Sequence, residues 1–250
     1  MIALVRDVPD SFVNALAQEP RRIYLSKARK QHARYIAALE GAGLDVRVLP
    51  PDETQPDCPF IEDQAVIYGG RALVTRPGHP DRRGESGPVE AWLRSQGLDV
   101  TTMEAPATLD GGDVLIAGDA AYVGRSGRTN GEGIARFAAW SGLPVHPVPV
   151  SGLHLKSVAS AATPRLVLVA ANTLDPAMFG GCDVVVVPPD EAAAANVVPL
   201  GSAVLALAGH PVTRQALEER RLEVIEVGIS EFRKADGSLS CLSVLLDGIP

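Results

Sequence analysis

Short apolar runs of Val, Leu, Ile and Ala recur along the chain at intervals of several tens of residues. They are Ile2-Ala3-Leu4-Val5, Ala72-Leu73-Val74, Ala121-Tyr122-Val123, Leu166-Val167-Leu168-Val169 and Ala203-Val204-Leu205-Ala206-Leu207. Runs this short, bounded by turn residues, read as buried strands. Several lead through a polar turn into a helical pattern. Leu25, Ala28, His32, Tyr35, Ile36 and Leu39 lie on one helical face, and the pattern ends near Gly41 and Gly43. A second helix has Pro88 in its first turn, Val89, Trp92 and Leu93 on one face, and Gly97 past its end. A third begins at Asn130 as N-cap and turns Ile134 and Phe137 inward. A fourth runs from Pro211 through Arg221.

A further strand after each helix, as in Leu98-Asp99-Val100 and Leu222-Glu223-Val224-Ile225, completes a unit that recurs about five times. Such recurrence points to a closed repeat rather than an open doubly wound sheet. Val184 to Val187, stopped by Pro188, is expected to be a buried strand, and Ala192 to Ala195 a short helix. No linker or low-complexity tract divides the 250 residues, so one domain spanning 1–250 is expected.

Composition changes this picture in three ways. A net charge of −7 with no basic patch argues against a nucleic-acid partner and suits a cationic ligand. Arg6 and Asp7 interrupt the apolar start, so no signal peptide is expected, and no apolar run approaches the roughly 20 residues of a membrane span. Cys58, Cys182 and Cys241 are an odd, widely spaced set, which fits neither a disulfide framework nor a zinc site. A cytoplasmic location with one functional thiol is the simplest account, with Cys182 in the core and Cys58 in a polar, accessible loop.

Cys241 stands in Gly237-Ser238-Leu239-Ser240-Cys241-Leu242-Ser243, where a loop leads into the strand Val244-Leu245-Leu246. A cysteine at such a junction is either a small core residue or an accessible thiol that a neighbouring cation or histidine can activate. His154 lies between Leu153 and Leu155 on a short strand, half-buried, and is either structural or an acid–base group. Asp110-Gly111-Gly112-Asp113 brings two carboxylates together on a tight backbone; they are either solvated in a turn or available to orient a histidine. Asp57, Glu62 and Asp63 add acids just before the apolar Ala65-Val66-Ile67 and could line a cation pocket.

Together these segments resemble the dimethylarginine dimethylaminohydrolases of the guanidino-modifying superfamily. The matching stretches run from Asp57-Cys58-Pro59-Phe60-Ile61-Glu62-Asp63 through Thr75-Arg76-Pro77-Gly78-His79-Pro80-Asp81-Arg82 and Thr108-Leu109-Asp110-Gly111-Gly112-Asp113. They continue through Gly124-Arg125-Ser126-Gly127-Arg128-Thr129-Asn130 and Gly152-Leu153-His154-Leu155-Lys156-Ser157 to Asp236-Gly237-Ser238-Leu239-Ser240-Cys241. The resemblance implies a pentein α/β-propeller of five ββαβ units around a pseudo-fivefold axis, with the site in the central channel. It implies hydrolysis of Nω-methylated arginine to citrulline and a methylamine, through a covalent thiouronium on Cys241. His154 would be the acid–base group and Asp110 its orienting carboxylate. Glu62, Asp63 and Asp110 would be the acidic positions of the substrate site, with at least Asp63 accepting from the guanidinium, and Arg82 and Arg128 would hold the α-carboxylate. Asp57 and the backbone near Asp236 would face the α-amine, and Leu16 would belong to the lid. Replacing either arginine with Ala is expected to raise KM far more than it alters folding.

The resemblance calls for no cofactor and no metal, and a homodimer is left open. An arginine deiminase is ordinarily longer, and agmatine has no carboxylate for two arginines to hold. A cysteine protease or transglutaminase would need an open cleft and an oxyanion hole instead of a cage of carboxylates. A non-catalytic propeller-like binding protein with an inert Cys241 is the alternative from another class.

Overall fold

The computed structural model describes residues 1–246. The chain begins with β1 (Ile2–Arg6), α1 (Leu25–Gly41) and β2 (Asp45–Leu49). The second unit is β3 (Ala65–Tyr68), β4 (Arg71–Val74), α2 (Ser86–Ser95) and β5 (Asp99–Thr102). The third is β6 (Val114–Ala117), β7 (Ala120–Arg125), α3 (Gly131–Ser141) and β8 (Val145–Pro149). β9 (Ala159–Thr163), β10 (Leu166–Ala170) and β11 (Asp183–Val187) form the fourth. The fifth is β12 (Val198–Leu200), β13 (Ala203–Leu207), α4 (Pro211–Glu218) and β14 (Glu223–Val227), and β15 (Val244–Leu246) ends the described chain.

Each of the five sheets has three strands, and in each the middle strand runs antiparallel to its inner neighbour and parallel to its outer one. The first sheet is assembled from both ends of the chain, with Ile2 opposite Leu246 and Leu4 opposite Val244. That pairing closes the ring, and β3, β6, β9, β12 and β15 each contribute residues to one cavity at its centre. The expected pentein propeller of five units is therefore the fold.

The middle strands are apolar runs because both faces are covered; β10 and β13 are buried at every position. Helices close the outside. Val89 and Leu93 of α2 are fully buried, each contributing roughly 1.5–3 kcal/mol. Asn130 caps α3 as expected, its Oδ1 accepting from Gly133 N at 2.8 Å.

Three expectations change, and one on Ala192–Ala195 holds. The fourth unit crosses over with only the 3-10 turn Pro176–Met178 where its siblings have an α-helix. Helix α4 stops at Glu218, three residues short of Arg221. Val184–Val187 is an outer strand whose Val186 is 51% exposed, not a strand buried on both faces. Ala192–Ala195 is helical, within the 3-10 stretch Pro189–Ala195. Among the described residues, no helix is long and apolar enough to cross a membrane.

Candidate active site

The ring carries two separate cavities along its axis, which share no lining residue. Consecutive residues point to opposite sides: Asp63 and Cys241 line one cavity, Glu62 and Ser240 the other. Between them Lys156 Nζ donates to Glu62 Oε1 at 2.7 Å, and Ser240 Oγ donates to Glu62 Oε2 at 2.8 Å. Asn196 completes this partition by accepting from Ser240 N and donating to Ser240 Oγ.

The first cavity, of about 200 Å³, gathers most of the residues singled out in the sequence. Leu16, Asp57, Asp63, Arg82, Arg128, His154, Asp236 and Cys241 all line it. Asp110 stands directly behind His154, fully buried, with Oδ2 2.9 Å from the imidazole Nε2. Glu62 does not join this group. It lies beneath, paired with Lys156, so its expected contact with the guanidinium has no geometric support.

Local structure explains the clustering. Gly111 and Gly112 open a 3-10 turn ending at Asp113. A Cβ on Gly111 would collide with the Glu62 carbonyl, and one on Gly112 would lie 2.9 Å from Asp63 Oδ1 and 3.0 Å from His154 Nδ1. Two glycines are therefore required for the acid and the histidine to approach this backbone. Gly112 N in turn donates to Asp63 Oδ1 at 3.0 Å. The expected strand at His154 is absent: its backbone is extended but it precedes the 3-10 turn Leu155–Ser157, and at 4% exposure it is buried rather than half-buried. Asp110 and Asp113 are not the solvated pair of an ordinary turn, since both are fully buried.

Charge is distributed unevenly. Burial alone would lower the His154 pKa, but Asp63, Asp110 and Asp113 outweigh it and hold it up at about 9. Asp63 is held down at about 2, because His154, Arg82 and the Gly112 N–H together exceed the cost of its burial. Burial pushes the Cys241 thiol well above the ordinary cysteine range, and the charges of Glu62 and Asp63 push the same way. Ser238 N approaches Sγ at 3.4 Å. The cavity thus holds an imidazolium, a firmly ionised carboxylate and an un-ionised thiol at neutral pH.

The two arginines differ. Arg82 is buried and spends four of its five N–H donors on the protein: on both oxygens of Glu85, on Asp63 Oδ2 at 2.6 Å and on the Phe60 carbonyl. Removing it would strand two buried carboxylates, so the expectation that Arg82→Ala spares the fold does not hold. The Arg128 guanidinium has Asp110 Oδ2 at 3.7 Å as its nearest carboxylate, and its Nη1 is buried with no hydrogen-bond partner among the described residues. Near the cavity mouth, Asp57 accepts from Leu16 N with both oxygens at 3.2 Å, and Asp236 accepts from Gln18 N at 2.6 Å. These bonds fix the 16–18 segment over the site.

The other cysteines take no part. Cys58 is 1% exposed, not accessible in a loop, and Cys182 is half-buried, packed against the cluster around Tyr122 and Phe179. Asp63, Asp110 and His154 bring ligand atoms within 4.8 Å of one another and could hold a cation, although their hydrogen bonds already account for the spacing. Sequence reasoning missed Phe60, His79 and Leu153, which also line the cavity, and Glu85, which lies behind it. Glu85 stands three residues after Arg82, a spacing that brings the two together on a 3-10 turn.

Comparison with known proteins agrees with this geometry. Residues 5–245 match the family model described as N,N dimethylarginine dimethylhydrolase, eukaryotic. The N(G),N(G)-dimethylarginine dimethylaminohydrolase of Pseudomonas aeruginosa is 37% identical over 226 residues, 88% of either chain. Its namesake from Streptomyces coelicolor is 40% identical over 225 residues, covering 88% of this chain and 86% of the relative. Among solved structures, a cysteine-to-serine mutant of the Pseudomonas aeruginosa enzyme complexed with citrulline superposes with a TM-score of 0.92 at 34% identity, covering 97% of each chain. A dimethylarginine dimethylaminohydrolase adduct with S-methyl-L-thiocitrulline gives 0.91 at 34% identity, over 97% of this chain and 98% of that one. With its five-sheet ring, its buried Cys–His–Asp cavity and a family match over nearly its whole length, the chain belongs to the N,N-dimethylarginine dimethylhydrolase family.

Proposed function

We propose that this chain is a single catalytic domain hydrolysing asymmetric dimethylarginine and monomethylarginine to citrulline and a methylamine. The observation that carries the reading is the cavity itself, where an elevated thiol and an elevated histidine face a carboxylate held at low pKa. A guanidinium is a poor electrophile because its charge is delocalised, so the site must fix it and supply a strong nucleophile. Asp63 is the acceptor for its N–H groups. A cation placed there offsets the carboxylates that hold the thiol protonated, so the substrate itself promotes ionisation of Cys241.

With substrate in place Cys241 gives its proton to solvent, and the thiolate attacks the central guanidinium carbon so that a C–S bond forms. His154, protonated at neutral pH and fixed by Asp110, gives its proton to the departing amine as the C–N bond breaks. The neutral imidazole then takes a proton from water, which attacks the thiouronium; the C–S bond breaks and citrulline and thiol are regenerated. Arg128, with an unpartnered buried Nη1, is the principal holder of the α-carboxylate, and Arg82 adds its one remaining donor. Asp57 and Asp236 flank the α-amine, and Leu16 covers the mouth.

Three unpaired cysteines suit a reducing cytoplasm, tested by cell fractionation; whether the chain forms a homodimer is read by light scattering. The deciding assay is citrulline release from asymmetric dimethylarginine, with arginine and agmatine in parallel and Cys241→Ser as control. Citrulline from the methylated substrates, lost in the control, is expected. Turnover of arginine or agmatine alone would overturn the substrate, and activity in Cys241→Ser would overturn the mechanism.

A further inference from the structure

Asp113 is fully buried beneath the cavity and lines no part of it, yet two other chain segments that build the site meet on its carboxylate. Oδ1 accepts from Leu155 N at 2.9 Å, the amide immediately after His154. Oδ2 accepts from Ser126 Oγ and from Thr129 Oγ1, both at 2.6 Å. Those hydroxyls do not end there. Ser126 Oγ accepts from Arg128 N at 3.0 Å and Thr129 N at 3.2 Å, while Thr129 Oγ1 accepts from Asp110 N at 3.2 Å. A carboxylate is an acceptor on both oxygens, so it compels each hydroxyl to donate towards it and leaves their lone pairs for those amides.

Space is reserved for this group. Gly124, near the end of β7, is where a Cβ would collide with Asp113 Oδ1. We propose that Asp113 is a positioning residue for the hydrolysis above, one buried charge that fixes the His154 ring, the Asp110 backbone and the Arg128 loop relative to each other. This rests on the reading of the site as a methylarginine hydrolase. The acid–base ring and the carboxylate-holding arginine are thereby referred to a common point, so the reacting carbon is set at a constant distance from both.

Asp113 also acts on His154 through its charge. The other groups that face the ring are Asp63 at 3.9 Å and Asp110 at 2.9 Å, with Arg82, Arg128, His79 and Cys241 around the same cavity. An Asn at 113 keeps the shape but removes the charge, and its amide accepts at one end only, so either the two hydroxyls or the Leu155 N–H loses its acceptor. Removing that charge moves the His154 titration whatever else the carboxylate does, so positioning is told from simple bracing by kcat in a variant that keeps the charge and loses one of its hydroxyl donors.

The test uses the full chain with histidine-selective isotope labelling, the His154 signal being assigned from its loss in His154→Gln. In Asp113→Asn the His154 midpoint is expected to fall, and kcat for asymmetric dimethylarginine to drop on the order of tenfold. Thr129→Val, which keeps shape and loses the hydroxyl, is expected to lower kcat on the order of tenfold, and Thr129→Ser to restore it. This second pair decides the matter should Asp113→Asn fail to fold. An unmoved His154 midpoint, or a Thr129→Val enzyme as active as the parent, would overturn the proposal. Absence of citrulline release from the parent chain would instead overturn the assigned reaction, while the titration still reads the contact.

Discussion

Replacing Arg128 with Ala tests the substrate's orientation most directly, because that guanidinium is the one large cation at the site not already consumed by the protein. Its buried Nη1 has no hydrogen-bond partner among the described residues, and Asp110, its nearest carboxylate, lies 3.7 Å away. A hydrogen bond between charged partners contributes about 1.5–3 kcal/mol. At 1.4 kcal/mol per factor of ten, its loss raises KM about 10- to 100-fold. The same change removes a cation near Asp110, which leaves that carboxylate's hold on His154 stronger, so kcat at neutral pH should move little by comparison. The discriminating assay pairs the variant with two substrates, asymmetric dimethylarginine and its decarboxylated analogue. The parent enzyme should prefer the first, and Arg128→Ala should lose that preference, since the analogue has nothing for the arginine to hold. A KM rise of equal size for both substrates would refute the reasoning, because the effect would then come from a deformed cavity.

Arg82→Ala should behave differently: with Asp63 and Glu85 stranded, about 3–5 kcal/mol of stability is lost and Tm falls by roughly 10 °C, read by calorimetry. An unchanged Tm would mean that the pairs contribute nothing net. For His154 the folded pKa of about 9 lies above the ordinary histidine value of 6.5. Its stabilisation is therefore fully present below 6.5 and is lost as pH rises through 9, about 3 kcal/mol in all, and Asp110→Asn should flatten that slope in denaturant melts. Alkylation of Cys241 by iodoacetamide should keep rising with pH as far as the fold survives, whereas a plateau near neutrality would reveal a thiolate in the unliganded enzyme.

The parts of the molecule that could be read from the sequence are those whose physics is local. Middle strands such as Leu166–Ala170 are buried on both faces and so are uniformly apolar, and α1 and α3 show one apolar face and a recognisable stop or cap. Two of the five outer strands left little trace. Asp45–Leu49 and Val145–Pro149 each have a single buried residue, at Leu49 and Val148, so no alternation announces them. The pairing of Ile2 with Leu246 joins the ends of the chain and leaves no local trace. At the site, residue types and order brought Cys241, His154, Asp110 and Asp63 forward through resemblance, but side-chain direction was invisible. Glu62 and Asp63 are neighbours in sequence and face opposite cavities, and nothing in their spacing tells which carboxylate meets the substrate. Nor can two arginines of the same type reveal that one is saturated and the other is not.

The partition made by Glu62, Lys156 and Ser240 has a consequence for traffic. A propeller with an open axis would let reactants pass straight through; here these side chains close the axis below the site, and exchange is left to the end that the 16–18 segment covers. Amine and citrulline must both leave by the route the substrate entered, and the hydrolytic water must arrive by it. The order of events is then imposed by crowding at that end. The small amine has to clear before water can enter, and the chamber accepts no second substrate until citrulline has backed out.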